Sequence, residues 1–384
     1  MLKKYGMDKK WLAFLAVFIL TIAATFIFYQ KTDMSYEFAD SSTIRYVKGK
    51  VTEVLSEELE KADGNDPRIL GTQKVRVYIK EGEQKGKELE FDNVLSTTHN
   101  IYVKPGQAVL IKADMPEGAA PYYSIFNYDR TGGIAAIAVI FILLMALVGR
   151  SKGIKSVIGL LYVFLLIIGF LIPAIYSGWP PVLATVLMAV TASAVSMILL
   201  NGFSAKTWTA ILSTVAGILI AAFVFAIFAW ILFVDGYKLD EVEELILVSN
   251  SSGMKVGDIL FAGTLVSSLG AIMDMTMSVA APLYEMREAN NKMSSREIYR
   301  TGLKIGKDMI GTMCETLVLA FTGTAITTLL LLKAYGIHMD QLLSSDYIAI
   351  ELAQGLTGSI AVILAVPITS LLAGLSGKKG VHYL

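Results

Sequence analysis

Residues 259–283 read ILFAGTLVSSLGAIMDMTMSVAAPL, and residues 309–332 read MIGTMCETLVLAFTGTAITTLLLL. Each run is long enough to cross a hydrocarbon layer of about 30 Å, which takes about 20 helical residues. Each also holds a single acid, Asp274 in the first and Glu315 in the second. A charge at mid-membrane costs at least about 2.5 kcal/mol on insertion scales, so such a residue turns toward a protein interior or a water-filled path. These two stretches set the fold class, a helical membrane protein, and mark where chemistry is to be sought.

The rest of the chain agrees. Of 384 residues 54% are hydrophobic and only 17% charged, and the mean hydropathy is +0.59; a soluble globule is excluded by that balance. Apolar runs at 11–29, 132–149, 156–176, 180–200, 208–234, 259–283, 309–332 and 348–374 predict eight spans. The first follows Lys3, Lys4, Lys9 and Lys10 as a signal peptide would, but its core is longer than a typical h-region and no small-residue cleavage site follows, so it reads as an uncleaved anchor over 1–30. The single cysteine, Cys314, excludes an internal disulfide and a cysteine-based metal cluster.

Orientation follows from the cations. With the N-terminus inside, the cytoplasmic segments hold 16 Lys and Arg: the four before the first span, then Arg150, Lys152, Lys155, Lys206, Arg287, Lys292, Arg296, Arg300, Lys304, Lys307, Lys378 and Lys379. The short outer loops hold only Lys238, Lys255 and Lys333. This positive-inside bias predicts a multi-pass membrane protein with both termini cytoplasmic and residues 31–130 extracytoplasmic. No segment carries the basic excess that nucleic-acid binding requires.

The segment 31–130 holds close to half of the 33 basic and about half of the 33 acidic residues, and reads as a small soluble β domain. Short runs at 44–57, 74–81, 87–94, 108–114 and 122–128 alternate in part, as in Val75, Val77 and Ile79 against Lys74, Arg76 and Lys80. Turn residues such as Asp63-Gly64-Asn65-Asp66-Pro67 separate them. Five short strands suit a barrel resembling an OB-fold, whose expected role is a rigid cap or docking platform. Residues 131–384 then form a seven-helix membrane domain. Within it the polar stretch near 240–257 predicts an interfacial helix whose acids, Asp240 and Glu241 among them, sit at the outer mouth or simply begin a solvated helix.

In the sixth span Ser267, Gly270, Asp274 and Ser278 recur at three or four residues and share a helix face; in the seventh, Asp308, Gly311, Thr312, Glu315 and Thr316 repeat the pattern. The loop between these spans is cytoplasmic, so they run antiparallel. Counted inward at ~1.5 Å per residue, the two acids differ in depth by roughly 6 Å. Three readings fit the pair. A proton or cation relay would use carboxylates raised in pKa by desolvation, with Thr276, Thr312 and Thr316 sharing the proton. An intramembrane aspartyl hydrolase would also use two acids, but the Gly-x-Gly-Asp context is absent. A protonated acid could instead serve as packing glue between helices.

Other chemistry is weaker. Met273, Met277, Met313 and Cys314 are soft ligands that could pass Cu(I), although methionine also fills gaps in apolar helices. Gly374-Leu375-Ser376-Gly377 faintly resembles an intramembrane serine protease string without a partner histidine; His99 and His338 fall outside and His382 in the tail. Neither an enzyme nor a resident cofactor is expected. In the loop 286–307, Ser294 and Glu297 offer a capping box for an amphipathic helix that lays Ile298, Gly302 and Ile305 on the bundle.

The strings Gly270-Ala271-Ile272-Met273-Asp274-Met275-Thr276-Met277-Ser278, Gly306 to Met313 and Thr316 to Phe321 resemble the YibE/F family of bacterial multi-pass membrane proteins. That resemblance implies the outer β domain followed by a helical domain, with no established activity. It also implies an Asn at the place of Glu315, which makes Asp274 the stronger candidate. The expected function is a permease or permease subunit, coupled to protons or cations through its intramembrane carboxylates, with the substrate unnamed. The alternative is a non-transporting scaffold or accessory subunit whose β domain docks a partner, in a homo-oligomer or with another membrane subunit.

Overall fold

The structure is a computed structural model that describes residues 9–34, 43–116, 118, 120–239 and 241–376. Lys3, Lys4, Asp240, Gly377, Lys378, Lys379 and His382 lie outside the described residues. The chain divides into two units, one of Ser35–Leu144 and one of Met1–Met34 with Met145–Leu384.

The first unit holds five strands, β1 (Ile44–Lys61), β2 (Ile69–Ile79), β3 (Glu88–Leu95), β4 (Ala108–Asp114) and β5 (Tyr122–Tyr128). All pairings are antiparallel, in the order β3-β2-β1-β4-β5. Strands β3 and β5 stand at the two edges, yet Phe91 and Tyr123 approach to 6.2 Å between ring centroids, so the sheet curls into an OB-like half-barrel. Alternation supplies the core: Val51, Val75, Val77, Ile79, Val109, Ile111 and Ile125 point inward. β1 and β2 run longer than their apolar patterns suggest, because Glu57 to Lys61 pair with Gln73 to Ile69 as a hairpin arm.

One buried feature of this domain is polar. Gln73 and Asn93 are 0% and 1% exposed. The Gln73 amide donates to Val103 O at 3.0 Å and accepts from Val103 N–H at 3.0 Å, while Asn93 Nδ2 donates to Ile101 O at 2.9 Å and to Gln73 Oε1 at 3.1 Å. The pair pins the 101–103 segment across the sheet. Gln73→Leu strands a buried N–H and a buried carbonyl, and should lower the stability of the β domain by about 2–3 kcal/mol in denaturant titration. Gln73→Glu keeps the acceptor but sets a buried carboxylate oxygen against the Val103 carbonyl and the Glu57 carboxylate, to both of which the amide donates, and should destabilise the domain as well.

The second unit is helical. Among the described residues seven helical stretches are long and apolar enough to cross a membrane, one of which begins in the first unit: Lys9–Lys31, Thr131–Tyr176, Pro181–Asn201, Ala205–Leu232, Val256–Ala289, Ser295–Ala334 and Asp346–Leu375. We label α1 (Lys9–Lys31), α2 (Thr131–Leu166), α3 (Ile172–Tyr176), α4 (Pro181–Asn201), α5 (Ala205–Leu232), α6 (Val242–Ser252), α7 (Ile259–Ala289), α8 (Ser295–Ala334), α9 (Met339–Leu343) and α10 (Asp346–Leu375). The eight-span expectation counts separately two segments that the structure joins in one stretch of 46 residues. That stretch is broken at Arg150, whose backbone (φ 48°, ψ −133°) is not helical. Gly153 lies so close to the Met145 carbonyl that a Cβ there would collide with it. The chain doubles back at this point, where a straight helix would hold the two residues about 12 Å apart.

Within the bundle, α7 is the hub. Leu265, Ile272, Met275 and Val279 pack with Ile218 and Ala221 of α5, Met188 and Ala192 of α4, and Ala361 and Ala365 of α10. Small residues set the spacing: a Cβ on Gly217 would meet Ile272 at 2.6 Å. Ser294 caps α8, accepting from Glu297 N–H at 3.2 Å while its own N–H donates to the Glu297 carboxylate at 2.7 Å. The helix expected in the 286–307 loop is therefore present, and runs without interruption into the span that follows. Ile298 and Gly302 are buried as the amphipathic pattern requires. The segment near 240–257 also forms a helix, α6, with Glu243 and Glu244 in its first turn and Gly253 ending it in the left-handed region (φ 73°).

Candidate functional site

The bundle positions the two candidate helices through α10. At one level a Cβ on Gly302 would meet Ser370 Cβ at 2.7 Å and Leu283 Cδ1 at 2.9 Å, so α7, α8 and α10 converge there. Further along, Gly358 of α10 touches both sides, with Ser268 Oγ at 3.0 Å and Leu317 Cδ1 at 3.4 Å from its would-be Cβ. Asp274 and Glu315 both lie between these two levels.

Their faces are uncovered. Ser267, Gly270 and Asp274 are exposed on α7, as are Asp308, Gly311, Thr312, Glu315 and Thr316 on α8; Ser278 is half-buried. No side-chain hydrogen bond or ion pair engages Asp274 or Glu315 among the described residues, and no Cβ position on Gly263, Gly270, Gly311 or Gly323 has a neighbour within 4 Å. Two sequence expectations need correction here. The acids are not desolvated inside the chain, and they are not glue between its helices, because α8 leans on α10 through its other face and leaves the polar stripe open.

Thr276 also departs from its expected place. It is fully buried, its hydroxyl bonded to Thr214 of α5 at 2.9 Å and to Met273 O at 3.0 Å. Two residues beyond Asp274 on a helix is about 200° around the axis, so Thr276 belongs to the core face and cannot share a proton with Asp274. Met273 and Met277 fill space against Met197, Ile198, Ala210 and Ile211. Met313 packs on the main core, and Cys314 Sγ lies 3.8 Å from Ser359 O of α10. These soft atoms serve as packing, and no cluster of His, Cys, Asp and Glu that could hold a metal occurs among the described residues.

The hydroxyls of the open stripes share one orientation. Ser267 Oγ donates to Thr264 O at 2.9 Å, Thr312 Oγ1 to Met309 O at 3.0 Å, and Thr316 Oγ1 to Thr312 O at 2.8 Å. Each proton is returned to its own helix, so what the stripe presents outward is oxygen lone pairs beside two carboxylates. Such a surface accepts hydrogen bonds and attracts cations; it offers nothing to an anion.

A third acid escapes a reading that starts from Asp274 and Glu315. Glu351 stands within the last span, and its signal was visible as the sole acid of 348–374. Its Oε2 is buried and without a hydrogen-bond partner among the described residues. It lines a groove of ≈ 230 Å³ between α8 and α10.

Two family models match the chain. One, described as YibE/F-like protein, matches residues 137–379, and the other, the YibE/F family N-terminal domain, matches residues 42–125. No curated protein and no solved structure matches it.

Proposed function

The chain belongs to the YibE/F family, a membership that brings no activity with it, and from its site we propose a membrane permease or permease subunit coupled to protons or cations. The single observation behind this reading is the open stripe. Two carboxylates and a row of outward lone pairs on membrane-spanning helices are left uncovered by the chain itself. Lipid is a poor neighbour for them, at a cost of at least about 2.5 kcal/mol per charge, whereas water or a hydrated cation is a good one. Asp274 is the principal group and Glu315 assists it. We place the protein in the bacterial plasma membrane, as the family resemblance implies, with both termini in the cytoplasm and the β domain outside, sides that the 16 to 3 bias of its loop cations supports.

One further observation favours the scaffold alternative. The open glycines Gly263, Gly270, Gly311 and Gly323 would let a neighbouring helix approach closely. In that case another subunit covers the stripe and nothing passes along it.

Thiol labelling separates the two. On a Cys314→Ser background, Gly270→Cys and Thr312→Cys should react with a small hydrophilic thiol reagent at rates within about tenfold of a surface cysteine. Absence of labelling, together with cross-links between copies at the same positions, would establish the scaffold reading. In the same series Lys61→Cys and Lys85→Cys should label from outside intact cells and Arg296→Cys should not; the reverse pattern overturns the topology.

A further inference from the structure

Of Asp274, Glu315 and Glu351, Glu351 alone combines a buried oxygen, unpartnered among the described residues, with a defined cavity. It stands on the second turn of α10, and the groove beside it runs past Gly355 to Leu356. A Cβ on Gly355 would meet Phe321 Cδ2 at 3.4 Å, so the glycine lets the Phe321 ring lie against α10 and form one wall. Val318, Leu352 and Leu356 supply aliphatic surface, and Leu342 of α9 adds to the lining.

The polar inventory of the lining is short: among the described residues Glu351 and Thr322 are its only polar side chains. Thr322 Oγ1 donates to Val318 O at 2.8 Å, which leaves its lone pairs to accept. No Lys, Arg or His among the described residues lines the groove. A hard metal ion wants about six oxygen ligands, and one carboxylate with one hydroxyl falls far short. A zwitterionic lipid headgroup brings a phosphate that would find no cation. An organic ammonium meets every feature: its N–H groups pair with Glu351 and Thr322, its charge lies near the Phe321 ring, and its hydrocarbon part fills the aliphatic walls. The volume of ≈ 230 Å³ suits about eight non-hydrogen atoms, taking about 30 Å³ for a water as the scale.

We propose that the α8–α10 groove is a binding site for a small amphipathic primary amine, held by Glu351. The proposal is independent of the permease reading, since it concerns equilibrium binding in a groove about two turns along α8 from Glu315. The test titrates the purified full chain in phosphatidylcholine nanodiscs with 2-phenylethylammonium and with its neutral counterpart 2-phenylethanol, by calorimetry. The ammonium should bind saturably and at least tenfold more tightly than the alcohol. Glu351→Gln should abolish that preference while leaving the alcohol unchanged, and phosphatidylethanolamine nanodiscs should give the same wild-type result. Equal affinity of the two probes, a preference that survives in Glu351→Gln, displacement of the ammonium by millimolar sodium or potassium, or its loss in phosphatidylethanolamine would each overturn the proposal. Should Glu351→Gln fail to accumulate, Thr322→Val, which removes the accepting hydroxyl, should weaken the ammonium several-fold and spare the alcohol; an unchanged ammonium affinity would count against the site.

Discussion

A Gly306→Val protein should fail to keep α8 on α10, while Gly311→Val, a little more than one turn further along α8, should fold. The two glycines look alike in sequence and differ in surroundings. A Cβ on Gly306 would meet Val366 Cγ2 at 2.7 Å and Val366 Cβ at 3.0 Å. Both branches of a β-branched side chain stand in the way, and turning χ1 exchanges one clash for another. The backbones would have to part, and with them the neighbouring contact of Gly302 with Ser370. Overpacking of this kind costs about 3 kcal/mol, which would appear as a collapse of the monodisperse peak and of the melting temperature in detergent. Gly311 has nothing within 4 Å of its Cβ position. Gly311→Val should melt with the parent protein; a matching collapse there would show that the stripe is covered within the chain.

Asp274→Asn should insert and fold normally and lose transport by on the order of 100-fold, the lower range for a positioned proton-transferring group. The asparagine keeps the size and hydrogen-bonding capacity of the aspartate and removes only its titration and charge. Because Asp274 has no bonded partner among the described residues, its replacement breaks no contact seen there, and a loss of activity reports on the path. Glu315→Asn should be milder, several-fold, since Glu315 assists and an Asn suits that position in the family resemblance. The measurement is uptake or ion flux in liposomes against a panel of protons, metal ions and small solutes. An Asp274→Asn protein with full activity, beside an Asp274→Leu protein that does not accumulate, would make the carboxylate structural and end the relay idea.

Much of the architecture is legible in local patterns. Runs of apolar residues long enough for a bilayer name the spans because no other use of such a run is stable in lipid. Alternation in 74–80 and turn residues at 63–67 name strands and a hairpin because the strand period is two. The capping box at Ser294 and Glu297 is likewise local, and the structure holds it as expected. Family membership was legible in the strings around Asp274 and Thr312.

What local pattern could not decide was which face of a helix meets which neighbour. Periodicity places Thr276 near Asp274 in sequence, but only the packing of α7 on α5 sends its hydroxyl to Thr214. Small and polar residues mark Gly306 and Gly311 equally; only the lie of α8 across α10 makes one a contact and the other open surface. Gln73 stands just before the run read as a strand over 74–81, and only the approach of the 101–103 segment buries it. The break at Arg150 and the groove at Glu351 are likewise products of tertiary approach. By itself the sequence determined a helical membrane protein with an appended β domain and an acid in each of its key spans, because hydropathy and period act within a few residues. Only the tertiary structure decided that the Asp274 and Glu315 faces stand open and that Glu351 is enclosed, because burial depends on helices far apart in the chain.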